Sequence, residues 1–496
     1  MSLTAQLPAL QVVVPLLTAP LVVLLRTPGL SWAAATAASL TAFAIAVALA
    51  GQVLAGEVIH YEMGGWPAPF GISLNIDALG SLVLLLVTGA STLALVGGRD
   101  SLATEIEAGR RHLFYAAWLI VLAGLSGIAV TGDAFNVFVF MEISSLATYV
   151  LIAAGPDRRA LTATFKYLIM GTIGATFYLI GVGMVYMMTG TLNFADMEVR
   201  LAEVTELRPI VVAAGFITVG LALKAAMFPL HMWLPGAYTY APHMVTAFVA
   251  ACSTKVAIYV LLRFDFVVFQ NNLSQHDLHF ASFLLPLALL GILVGSAVAM
   301  VESNLKRLLA YSSVAQIGYI LLGASLISEA GITAATAHMF NHALAKGAMF
   351  LAVAAFALRL SGVRLNDIAG VGRQMPLTFA ALAVAGASLV GIPGTAGFVS
   401  KWLLLQAAFA QGTLGLVAVV VVVLSSLAAV VYVWRIIEAA YFGEPSAEVQ
   451  AAREAPLPIL AVLLLAAAAN IYFGLVPAFP LSLAEMSATE LLGGLQ

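Results

Sequence analysis

Long apolar runs, broken by short polar interruptions, follow one another along almost the entire chain. A helix needs about 20 apolar residues to cross the hydrocarbon core of a bilayer. On that ruler the pattern predicts fourteen spans, near residues 7–26, 31–54, 75–97, 113–131, 134–154, 162–188, 209–230, 242–265, 281–301, 306–327, 331–358, 376–409, 413–441 and 456–478. The fold class that follows is an all-α polytopic membrane protein. Two spans carry internal breaks: Pro229 in the seventh, and Gly391, Pro393, Gly394 and Gly397 in the twelfth. Proline removes a backbone donor, so inside a membrane such breaks survive only where freed backbone groups meet protein or water. The broken spans lie five apart, and an odd offset gives two five-helix units of opposite orientation, the pattern of an inverted-repeat transporter. The expected organisation is residues 1–111 for spans 1 to 3, 112–267 and 280–442 for the two repeats, and 455–496 for span 14 and a tail.

Composition agrees with this pattern: 62% of the 496 residues are hydrophobic, 9% are charged, and the mean hydropathy is +1.04. Soluble domains carry roughly one-quarter charged residues. The net charge of −3 gives no pull toward nucleic acid, and a single cysteine, Cys252, rules out internal disulfides and iron–sulfur ligation. With the N-terminus placed outside, fourteen Lys and Arg fall in inside loops, Lys306 among them, against Arg200, Arg208 and Arg263 outside. Both termini are then expected outside.

The informative residues are the charges left within the spans. They are Lys224, Lys255, Lys346, Lys401 and Glu142, with no arginine. A charge at bilayer depth costs roughly 2.5 to 3.5 kcal/mol on the lenient scale, so five of them need a reason. Arginine stays charged, whereas a desolvated lysine releases its proton readily and a nearby carboxylate restores it. One glutamate cannot neutralise four lysines as static salt bridges. His338, His342 and Lys346 follow at i, i+4, i+8, which stacks them on one helix face about 6 Å apart per step. Histidine titrates near neutral pH, so the stripe suits a proton relay. The competing readings are histidines satisfied in a packed core and haem ligation, and the latter lacks a second helix with a buried histidine pair.

The blocks FNVFVFMEIS, ALKAAMFPLHMWLPGAY, STKVAIYVLLR, NLKRLLAYSSVAQIGY, HMFNHALAKGAMFL and GIPGTAGFVSK resemble the antiporter-like subunits shared by Mrp-type multisubunit Na+/H+ antiporters, respiratory complex I and membrane-bound hydrogenases. The resemblance covers nearly the whole chain and implies fourteen helices in inverted repeats, no cofactor, and a hydrophilic axis at mid-membrane. In its terms Glu142 is the glutamate paired with the broken-helix lysine, Lys224. Lys255 is the connecting lysine, His338, His342 and Lys346 are the relay, and Lys401 is the terminal lysine, where some members carry glutamate. The chain's length makes it most similar to the D-type members of the Mrp group. The implied partners are other membrane subunits, protons and Na+ or K+, in a prokaryotic cell membrane. The alternative is a proton-pumping subunit of a redox-driven complex; a stand-alone solute carrier is weaker, because no polar cluster within the spans is fit for an organic substrate. With Glu142 the one acid at depth, no oxygen-rich cation site is visible in the side chains, and the cation path is expected at a partner interface.

Overall fold

The computed structural model describes residues 4–269 and 280–493, with backbone alone for residues 280–282. The first three residues of the segment 1–111 and the last three of the tail lie outside them.

The helices are α1 Leu7–Leu25, α2 Pro28–Leu54, α3 Ala78–Gly97, α4 Arg111–Val130, α5 Ala134–Ala153 and α6 Arg159–Thr189. The seventh span comes in two pieces, α7a Leu207–Lys224 and α7b Leu234–Tyr240. It is followed by α8 His243–Arg263, α9 Phe280–Val301, α10 Leu305–Ser325 and α11 Glu329–Ala357. The twelfth is likewise divided, into α12a Pro376–Val390 and α12b Ala396–Phe409, before α13 Gly412–Phe442, α14 Leu457–Leu475 and α15 Ala478–Leu492. Thirteen of these helices are long and apolar enough to cross a membrane singly, and the pair of shorter helices in α12 completes the predicted fourteen spans.

Helix starts follow local chemistry. Asp77 and Asp133 accept from the backbone N–H groups of Gly80 and Asn136 at 2.9 and 2.7 Å, and Asn304 and Ser328 cap α10 and α11 in the same way. Proline stands in the first turn of α2, α12a and α14, where its missing N–H costs nothing. The seventh span stops at Lys224, short of the predicted 230. Ala226 takes a left-handed φ of 55° and Pro229 lacks an N–H, so the chain turns before α7b restarts it. The Trp233 indole then donates to the freed Leu223 carbonyl at 2.9 Å.

Packing sorts the helices by depth. The α8, α10 and α11 helices are buried on nearly every face. On α13, Leu416, Val420, Val423, Leu427 and Val430 form an exposed apolar stripe at helical spacing, the mark of a surface that lipid or an apolar partner covers. Lys255, His338, His342 and Lys346 therefore sit on helices shielded on nearly every side, whereas Glu142, Lys224 and Lys401 stand on helices with an exposed face.

Beyond the predicted spans stand several short helices, Arg99–Glu105 and Phe194–Ala202 among them, a hairpin and a terminal helix. A short antiparallel hairpin, β1 Ile59–Glu62 and β2 Ser73–Ile76, joins α2 to α3. The tail is the helix α15, which packs against α11 and α3, its far end meeting the residues where those two helices begin. There Glu490 accepts from the Ala78 N–H at 3.1 Å, and Thr489 reaches Glu329 at 3.5 Å.

Candidate functional site

Lys224 is the last residue of α7a, and its ammonium lies 3.6 Å from Glu142 Oε1 on α5. It also donates to Ser145 Oγ at 2.7 Å, one residue short of a full helical turn beyond Glu142. Lys224 is buried, while Glu142 is partly exposed at the side of α5. Beside them a cavity of about 30 Å³ is lined by Ser144, Ser145, Tyr167, Lys224 and, from α8, Ser253. That is room for a water-sized group on the side of Lys224 that faces α8, with these polar side chains on one part of a wall that Leu125, Ile128, Met141 and Val256 complete.

Lys255 comes half a turn after Ser253 on α8, fully buried, and donates to the Ala250 carbonyl at 2.6 Å. Its helix packs directly on α11, which carries His338, His342 and Lys346. The predicted stripe stands on one buried face of α11, and the rings of His338 and His342 stack with centroids 6.1 Å apart. Lys346 donates to the Leu309 carbonyl at 2.8 Å and to Ser312 Oγ, both on α10. His338 is held between two helices: Nε2 lies 2.9 Å from Gln316 Oε1 on α10, and Nδ1 lies 2.9 Å from Ser400 Oγ on α12b. Each ring nitrogen of His338 thus has one partner, and the Ser400 hydroxyl also donates to the Gly397 carbonyl at 3.4 Å. His342 has no hydrogen-bond partner on either ring nitrogen among the described residues.

Lys401 sits beneath the break in α12. The ammonium donates to the carbonyls of Leu389 and Val390, at 2.8 and 3.0 Å, and to Ser426 Oγ on α13 at 3.1 Å. On another side the Tyr319 ring of α10 lies 5.0 Å away, and that ring also meets His338 edge-on. Gly391 has a φ of +91°, and a Cβ there would stand 2.9 Å from Lys401 Cδ, so this glycine both turns the chain and makes room for the lysine.

Ser145, Ser312, Gln316, Tyr319, Ser400 and Ser426 complete this file, and none of them stands out in the sequence by residue type. On α10, Ser312, Gln316 and Tyr319 recur at i, i+4, i+7 within NLKRLLAYSSVAQIGY, the one signal that marks them as a face.

Lys306 requires a correction. The sequence places it in an inside loop, yet it is 2% exposed and donates to the Ala241 carbonyl just past α7b at 2.6 Å. Its counter-charge is Glu105, at the end of a short helix Arg99–Glu105, which accepts from the His243 N–H at 3.1 Å and lies 3.7 Å from the His243 ring. Burial lifts the Glu105 carboxyl to about 7, against the lowering pull of Lys306 and of its hydrogen bonds. These residues line a polar recess of about 400 Å³ at the end of the bundle where α6, α8 and α10 begin. At the opposite end Arg263 pairs with Asp77 and stacks on Tyr259, and burial pushes the neighbouring Glu490 carboxyl up to about 7.

The family model described as NADH:quinone oxidoreductase/Mrp antiporter, TM, matches residues 131–428, a stretch holding every residue from Glu142 to Ser426. A protein of Desulforudis audaxviator named NADH-quinone oxidoreductase subunit N is 42% identical over 92% of this chain and 90% of its own length. The D-type subunit of the Na(+)/H(+) antiporter of Bacillus subtilis is 30% identical over 88% and 87%. Among solved structures, a chain of the Mrp complex from Dietzia sp. DQ12-45-1b superposes with a TM-score of 0.90 at 28% identity, covering 99% of this chain and 98% of its own. A chain of an archaeal membrane-bound sulfane sulfur reductase gives 0.90 at 32% identity, with 98% of each chain covered.

Proposed function

Because the chain belongs to the NADH:quinone oxidoreductase/Mrp antiporter transmembrane family, we propose that it is a proton-translocating subunit of a multisubunit monovalent cation/proton antiporter. The observation that supports this reading is the series of titratable side chains placed across the bundle: Glu142 and Lys224, then Lys255, then Lys346, His342 and His338, then Lys401. Hydrogen-bonding groups stand beside several members, Ser145 at Lys224, Ser312 at Lys346, and Gln316 and Ser400 at His338, and no arginine interrupts the file. A lysine there is charged or neutral according to its neighbours, so a proton arriving at one end changes the preference of the next.

The two broken helices supply the openings. From the α7 break, α7b leads to the recess of Glu105, His243 and Lys306 at one end, which the loop arginines make the cytoplasmic side of a prokaryotic cell membrane. From the α12 break, α12b leads the other way, and Gln411 just beyond it donates to the Leu326 carbonyl at the far end of α10. Openings in opposite directions suit the inverted repeats of 112–267 and 280–442. The exposed faces of α6 and α13 are where partner subunits and lipid would pack.

A second reading, a proton-pumping subunit of a redox-driven complex, is favoured by the 42% identity to the relative named NADH-quinone oxidoreductase subunit N. Purification through a tag on this chain, paired with proton uptake into inverted vesicles under an imposed Na+ or K+ gradient, separates the two. The antiporter reading predicts small membrane subunits and gradient-driven proton movement that Lys255→Ala abolishes. Flavin or iron–sulfur subunits in the preparation, with no response to the cation gradient, would overturn it in favour of the second.

A further inference from the structure

The twelfth span ends its first half with carbonyls that the helix cannot satisfy. Leu389 would receive a bond from the residue four positions on, which is Pro393 and has no N–H, and Gly391 turns the chain away at a φ of +91°. The Leu389 and Val390 carbonyls instead converge with Ser426 Oγ on a single point, occupied by the Lys401 ammonium at 2.8, 3.0 and 3.1 Å. The Tyr319 ring face closes another side at 5.0 Å. Three oxygens, an aromatic face and the negative end of a helix dipole form a cage for a positive charge, and nothing in it is specific to nitrogen. In membrane transporters, unwound carbonyls and half-helix C-terminal ends are also the groups that hold Na+.

We propose that this cage at the α12 break is a monovalent cation site, in which the Lys401 ammonium and a Na+ or K+ ion are alternative occupants. No carboxylate lines the cage, so it lacks the charge to hold a divalent ion but suits a singly charged one that leaves again. When Lys401 is neutral it brings no charge to the dipole and one donor fewer to the three oxygens, and a cation takes the place of its charge. When it is protonated, the ammonium displaces the ion. Besides Lys401, the titratable groups around this position are Tyr319 on α10, whose ring closes the cage, and His338 on α11, which meets that ring edge-on with His342 stacked behind it; α12a and α14 carry no charged side chain. The inference rests on reading Lys401 as a proton carrier and goes beyond it by bringing the exchanged cation into this chain, where the sequence pointed to a partner interface.

Equilibrium binding of 22Na+ and of 86Rb+, as a stand-in for K+, to the purified complex tests this. For the wild type, apparent affinity for one of the two ions rises by about tenfold per pH unit while the protonated lysine predominates, because proton and cation compete for one place. Lys401→Met removes the competitor, so binding becomes independent of pH and tighter than wild type at about pH 6.5. Ser426→Ala weakens binding several-fold and leaves the pH dependence in place. If Lys401→Met does not assemble, the wild-type and Ser426→Ala pH series decide alone. Absence of saturable binding of either ion, or binding indifferent to both pH and Ser426→Ala, overturns the cage as a cation site. Loss of proton movement in Lys401 variants alongside such a result would leave the proton role standing and remove only this inference.

Discussion

At the scale of single residues, the pair of Glu142 and Lys224 shows how little separates a static salt bridge from a proton carrier. Their charged atoms are 3.6 Å apart, beyond a tight contact, and Lys224 spends a hydrogen bond on Ser145 as well. Glu142→Gln keeps shape and polarity but removes the charge that favours the ammonium form. Vesicle proton movement is expected to fall by about tenfold or more, or ~1.4 kcal/mol on the barrier, with the complex still assembled. A salt bridge with a purely structural role would instead show itself as lost assembly. The glycines at the α12 break give a sharper contrast. Gly391 and Gly394 both have left-handed φ values, 91° and 87°, so alanine at either costs about 1 to 2 kcal/mol of backbone strain. A Cβ at Gly391 also meets Lys401 Cδ at 2.9 Å, whereas one at Gly394 has only Leu475 at 4.0 Å. Thermal unfolding should therefore show similar losses for both variants, and transport a much larger loss for Gly391→Ala.

At the scale of elements, the spans, their breaks and the α11 stripe were legible because apolar length, proline and i, i+4 spacing are written in residue types. The deep position of Lys306 was not, since it depends on α10 starting under the Ala241 carbonyl, and a lysine at a span boundary looks like a loop residue. Equally hidden were the Leu389 and Val390 carbonyls, because backbone acceptors have no letter of their own. The α15 helix escaped because its Glu485 and Glu490 and its short length resemble a polar tail. The buried carboxyls at the two ends make a pH prediction. Glu105 and Glu490 both hold their protons to about 7 when folded, above the value for a solvated glutamate. Through these two carboxyls the folded state binds more protons than the unfolded one between roughly pH 4.5 and 7, and the stability they contribute falls as pH rises through that window, while the buried His243 beside Glu105 acts in the opposite sense. Glu105→Gln should shift the slope of melting temperature against pH in the positive direction, and Glu105→Gln with Glu490→Gln should shift it further. An unchanged slope would mean that these carboxyls are solvated.

At the scale of the whole molecule, shielding is the organising fact. The helices with titratable faces, α8, α10 and α11, are enclosed by others, and the second halves of the broken helices run toward opposite ends of the bundle. Such an interior conducts only if each lysine gives up its proton in turn, and Lys401 is where that demand is easiest to isolate. Arginine there keeps the positive charge and enough donors for the Leu389, Val390 and Ser426 oxygens but holds its proton at any physiological pH. The most direct measurement is cation-driven proton movement in vesicles containing the assembled Lys401→Arg complex. The proton-relay account predicts assembly at wild-type level with transport at background; transport at the wild-type rate would contradict it and make Lys401 a structural ion partner.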